Sequence, residues 1–139
     1  MQHVARTPFR VLLVLSAFAA LMVLPSAARA DSWVTGCVSY YAGASHTCVI
    51  AKTGAKDTRT KRQWVGPVRA EVRGICYDGG TKTLEIWGDG FYFSKFNTPS
   101  CRRTAEWTVN RWVASGTNVC AASTSKSGTR RIACIAIRV

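Results

Sequence analysis

Beyond residue 30 the chain alternates apolar and polar positions with a period of two, and nowhere does an apolar spacing of three and four persist for three turns. That pattern predicts a domain built almost entirely of β-strands. Over 68–77 one face presents Val68, Ala70, Val72 and Cys76 while the other presents Arg69, Glu71 and Arg73, as in a half-exposed strand. Asp78, Gly79 and Gly80 tolerate positive φ and predict a turn, after which Leu84 and Ile86 alternate with Glu85 and Trp87. Gly88-Asp89-Gly90 predicts a second tight turn into 91–96, so the three segments read as an up-down-up meander. Asn97-Thr98-Pro99-Ser100 then breaks the pattern, because proline withholds a ladder donor. Alternation resumes over 106–113, with Trp107, Val109 and Val113 against Glu106, Thr108, Asn110 and Trp112. A terminal hairpin is predicted about the polar stretch 123–129, and its last strand, apolar on both faces, is expected to be central or covered.

Counted with a first hairpin near residue 42, about seven or eight strands are expected, separated by Gly, Asn and Ser turns, which suits a small antiparallel β-sandwich or barrel. The segment 52–63 is polar, mostly cationic and without clear periodicity. It reads as a long surface loop.

The first 30 of the 139 residues have a different character: Arg6 and Arg10 precede an apolar run over 11–24, and Ala28-Arg29-Ala30 closes it. This is the pattern of a cleaved signal helix, and the run is shorter than the roughly 20 residues needed to cross a bilayer. The expected product is a single secreted β domain, 31–139, with no transmembrane span after cleavage. The single-step signal points to bacterial export, with an extracellular destination, or a periplasmic one if the source is Gram-negative.

An exported domain of 109 residues with six cysteines is expected to be stapled by disulfides. The cysteine spacings are 11, 28, 25, 19 and 14, no Cys-x-x-Cys pair occurs, and His46 is the one histidine after residue 30, so no metal site is expected. Cys120 and Cys134 are equidistant from Ser127, and Cys37 and Cys48 are centred on residues 42–43, as opposed positions on hairpin strands would be. Cys76 and Cys101 follow segments that finish at the same end of the expected meander. The sequential pattern Cys37–Cys48, Cys76–Cys101 and Cys120–Cys134 is therefore expected, each bridge contributing about 3 kcal/mol by the chain-entropy estimate.

Charge narrows the chemistry further. The exported part holds 16 Lys and Arg against 7 acids, a net +9. Lys52, Lys56, Arg59, Lys61 and Arg62 cluster ahead of Trp64, and Arg102-Arg103 and Arg130-Arg131 form two doublets. Such clusters concentrate polyanions. Trp87 and Tyr92 on neighbouring strands would add a flat aromatic platform, together with Arg73 and Tyr77, suited to stacking on sugars or bases. No helix, zinc module or RNP-like motif supports sequence-specific nucleic-acid binding.

No catalytic motif stands out, and no cofactor is implied. His46 lies in an expected turn beside Ser45, and a Ser-His pair adjacent in sequence does not by itself align as nucleophile and base. Glu71 and Glu85 read as cross-strand partners of Arg69 and Arg73 rather than as an acid pair for glycoside hydrolysis. The expected function is that of a secreted, non-catalytic binding protein for an anionic polymer or glycan, using Arg59, Lys61, Arg62, Trp64, Trp87, Tyr92, Arg102, Arg103, Arg130 and Arg131. The alternatives are a secreted effector, such as an antimicrobial toxin or a protease inhibitor presenting 52–63, and a small hydrolase using His46.

Overall fold

The computed structural model describes residues 31–76, 78–101 and 103–139, without the side chains of 97–100. The segment expected to be a signal helix lies outside the described residues. Eight strands form two four-stranded antiparallel sheets. They are β1 (Ser32–Tyr40), β2 (Ser45–Asp57), β3 (Arg62–Gly74), β4 (Thr81–Gly88), β5 (Phe91–Ser100), β6 (Arg103–Ala114), β7 (Asn118–Ser125) and β8 (Arg130–Ala136). Sheet A has the order β1-β2-β3-β6 and sheet B the order β5-β4-β7-β8. The sheets stack so that β1 faces β8, β2 faces β7, β3 faces β4 and β6 faces β5. Among the described residues no helix is long and apolar enough to cross a membrane.

Alternation places the core as read from the sequence. Val49 and Ala51 of β2, Val65, Val68, Ala70 and Val72 of β3, and Leu84 and Ile86 of β4 point between the sheets, where Val119, Ala121, Ala133, Ile135 and Ile137 meet them. Many of these side chains are the small Ala and Val, so each buries little apolar area and three disulfides add to what burial supplies. All three bridges follow the sequential pattern, and the hairpin pairs Cys37–Cys48 and Cys120–Cys134 join directly opposed residues.

Four expectations require correction. First, 52–63 is not a long loop: β2 runs to Asp57, β3 starts at Arg62, and only 58–61 form the turn. The period of two was obscured by small and polar inward residues and by two register shifts, between Ala51 and Thr53 and between Thr53 and Lys56. Second, the meander is divided between the sheets. β3 belongs to sheet A and β4 and β5 to sheet B, so the chain changes sheets between Gly74 and Thr81, with Asp78, Gly79 and Gly80 all at positive φ. The ends of β3 and β5 still meet, which is why Cys76 and Cys101 bond. Third, β5 continues through Pro99 to Ser100, at a register shift between Thr81 and Thr83. An edge strand tolerates the missing donor. Fourth, β8 ends its sheet; β1 covers its flank and Ile135 enters the core, but Ile132, Cys134 and Ala136 on its outer face are exposed.

Candidate binding site

The β2–β3 hairpin carries the densest cationic cluster of the fold. Its turn is built by Asp57, which accepts from the backbone N–H of Arg59 (2.9 Å) and Thr60 (3.1 Å) and from the Thr60 hydroxyl (2.7 Å). These bonds, the Thr60 hydroxyl foremost, hold the Asp57 carboxyl below its ordinary range. Lys61 closes the turn in the left-handed region at φ 55°, and its carbonyl accepts from Ser115 N–H at 2.8 Å, pinning the tip to the β6–β7 connection. The carboxylate at this turn is thus committed to the turn itself. Among the described residues the side chains of Lys56, Arg59, Lys61 and Arg62 form no ion pair or hydrogen bond.

Beside this tip the outer face of sheet A is aromatic. Gln63 and Val65 point inward, so Arg62 and Trp64 point outward on β3. Trp112 is the direct partner of Trp64 on β6, and their rings meet edge to face at 5.8 Å. With Asp31 and Ala55 they line a shallow cleft of about 280 Å³, at the low end for a small-ligand site and suited to one ring of a longer chain. Gly54 keeps it open, because a Cβ there would meet the Trp64 ring at 3.3 Å and Asp31 at 3.2 Å. Asp31 also pairs with Lys52 at 3.0 Å, and Trp33, on the same face of β1, lies beneath the Arg69 guanidinium at 5.8 Å.

A second aromatic and cationic surface lies on the outer face of sheet B. Trp87 and Tyr92 are directly opposed on β4 and β5. Glu85 accepts from both the Tyr92 hydroxyl and Arg130, and Arg130 also sits over the Trp87 ring at 5.1 Å. The expected platform therefore contains Trp87 and Tyr92, whereas Arg73 belongs to the other sheet and Tyr77 lies outside the described residues.

Nine of the ten expected binding residues thus fall in three places. Arg59, Lys61, Arg62 and Trp64 stand together at one end of sheet A. Trp87, Tyr92 and Arg130 share the outer face of sheet B. Arg131, the neighbour of Arg130, points the other way into the opposite end of the sandwich, paired with Asp78 at 3.1 Å and lying 3.9 Å from the Tyr40 ring centre. Arg103, which donates to the Thr81 carbonyl at 3.4 Å, is at that same end, and Arg102 lies outside the described residues. The cleft there has about 20 Å³ of interior, room for a water rather than a ligand. Trp112 and Asp31 were not singled out from the sequence as binding residues. Trp112 was readable as outward, but its contact with Trp64 depends on the β3–β6 pairing.

The remaining candidates are placed as follows. His46 is on the outer face of sheet A between Ser39 and Arg73, and among the described residues no hydrogen bond or ion pair joins it to a carboxylate. Glu71 pairs along its own strand with Arg73 at 2.8 Å, while Glu106 pairs across strands with Arg69 at 2.9 Å. Glu71 and Glu85 stand on the outer faces of opposite sheets, so they do not flank a common cleft. The tight, pinned turn at 58–61 also differs from the extended loop that the inhibitor alternative requires.

No protein-family model matches the chain, and neither curated proteins nor solved structures give a match. What can be said of class is therefore structural: a β-sandwich stapled by three disulfides, with a basic hairpin beside a tryptophan cleft.

Proposed function

We propose that the protein is a secreted, non-catalytic binding module for an anionic polysaccharide or related polyanionic glycan. One observation supports this reading: the Trp64–Trp112 cleft opens beside a hairpin tip whose four cations, Lys56, Arg59, Lys61 and Arg62, have no carboxylate partner among the described residues. A sugar ring presents C–H groups that pack on indole, while its hydroxyls find Asp31 as acceptor. Carboxylate or sulfate groups along the same chain then meet Arg59, Lys61 and Arg62. Elsewhere the fold neutralises many of its cations internally, at Lys52, Arg69, Arg73, Arg130 and Arg131. The hairpin tip keeps four unneutralised cations within seven residues, a local source of positive potential.

The test is retention of the purified domain 31–139 on immobilised anionic and neutral glycans across a salt series. Retention on anionic polymers, weakening steeply with salt, is expected. Failure to bind every polymer of the panel at low salt would remove the reading.

A further inference from the structure

The sandwich is closed along one flank and open along the other. On the closed flank the bare Gly36 Cα packs against the Cys134 carbonyl, joining β1 to β8. On the open flank β5 ends sheet B and β6 ends sheet A, and no described strand pairs with the free side of either. Between them runs a groove of about 420 Å³ whose walls include Phe91, Phe93, Val109, Asn110 and Arg111. Phe91 and Phe93 make one wall aromatic, and behind it Phe93, 37% exposed, stacks on Trp107 with ring centres 6.5 Å apart and planes 24° from parallel. Arg111 spans one end by donating to the Gly90 carbonyl.

A free strand edge presents unpaired N–H and C=O groups, and proteins usually blunt it with short length, charge, proline or cover. β5 is ten residues long, and its first six hold four aromatics with Lys95 as the one charge. Tyr92 and Phe96, on its outer side, are 59% and 71% exposed. An open ladder edge flanked by apolar sockets on alternate positions is the arrangement that recognition by strand addition uses.

We propose that β5 receives an extended peptide segment of alternating apolar and acidic residues as a fifth strand of sheet B. Its carboxylates lie on the groove side, where they face Lys95 and Arg111, and its apolar side chains lie on the outer side against Tyr92 and Phe96. Charge decides the occupant. The described acid on β5 and β6 is Glu106, which is held by Arg69 on the outer face of sheet A. A second copy of this chain would bring like charges to the edge, whereas a carboxylate-bearing strand complements them. This surface is separate from the glycan cleft and does not depend on it.

The probe is a capped nine-residue peptide alternating glutamate with valine, added to the domain while backbone amide exchange is followed. Exchange over 91–96 is expected to slow at least tenfold at saturation. Replacing every glutamate of the peptide by lysine, or N-methylating alternate amides, is expected to weaken binding at least tenfold. Lys95→Glu, at an exposed position that leaves the core intact, is expected to reverse the preference between the two charged peptides. No protection of 91–96 by the acidic peptide, or equal protection by both peptides, overturns the proposal. So does a dimer that forms without peptide and protects 91–96, since it gives the edge to a second copy.

Discussion

Tyr41 donates its phenolic hydrogen to the Asp78 carboxylate across the end of the sandwich, and both residues make the contact from left-handed backbone, at φ 52° and 56°. Arg131 donates to both of them, at 3.1 Å each. Two non-glycine residues in this region signal a conformation that the surrounding contacts impose. The hydrogen bond from Tyr41, with Arg131 second, holds the Asp78 carboxyl below its ordinary range, and the same bond pushes the Tyr41 phenol up.

The linkage gives stability two pH edges. A carboxyl with a lowered folded pKa contributes stability that is full above its unfolded value, about 4, and lost as pH falls through the folded value. A phenol with a raised folded pKa contributes stability that is full below about pH 10 and lost as pH rises through its folded value. Thermal melts are expected to show both losses. Asp78→Asn should flatten the acid limb in part, because Asp57 and Glu71 are also lowered. Tyr41→Phe should flatten the alkaline limb. Unchanged limbs in both variants would mean that this contact is absent in solution.

Gly36 determines how closely the two sheets meet along their closed flank. A Cβ there would lie 2.5 Å from the Cys134 carbonyl oxygen and 2.9 Å from an Ile135 methyl, and the nearer obstacle is backbone. Gly36→Ala is expected to cost about 1–3 kcal/mol through overpacking, read as a lower denaturant midpoint at constant slope. Stability equal to the parent would show that β1 can move away from β8 freely.

Thr47 and Ser123 pair their hydroxyls at 2.6 Å between the facing strands β2 and β7, both buried. Removing the Thr47 hydroxyl leaves Ser123 unsatisfied, so Thr47→Val is expected to cost about 1–3 kcal/mol, more than its size alone implies. Adding Ser123→Ala removes the orphan. The double variant should therefore be less destabilised than the sum of the single variants, and strict additivity in the cycle would deny the bond.

These contacts mark where sequence reading reaches its limit. Alternation assigned side chains to faces in β3, β4 and β6, and the symmetric cysteine spacings located two hairpin bridges, because both depend on local geometry. It does not assign a strand to a sheet, which is why it groups β3 with β4 and β5 although the chain changes sheets between Gly74 and Thr81. The β2–β3 hairpin was hidden for another reason: Ala51 and Thr53 make a weak inward stripe, and the register shifts on either side of Thr53 interrupt its period. Arg59, Lys61, Arg62 and Trp64 were legible as a cluster because they are neighbours in sequence. Trp112 joins them only through strand pairing with a residue 48 positions earlier.

That pairing separates two contributions to glycan binding, and each has its own variant. Trp112 is 39% exposed on an outer face, so Trp112→Ala leaves the core unchanged while removing one wall of the cleft. It is expected to weaken glycan binding by about 1 kcal/mol, the scale of an aromatic contact, and to do so equally at low and high salt. The combined Arg59→Ser, Lys61→Ser and Arg62→Ser variant removes exposed cations from the pinned turn. It should weaken capture at least tenfold at low salt and reduce the slope of affinity against salt, with the melting temperature close to that of the parent. Isothermal titration with one anionic oligosaccharide at several salt concentrations resolves both effects. If the Trp112 variant changes the salt slope while the hairpin variant does not, the roles assigned to ring and charge are reversed; if neither changes binding, the site lies on another face.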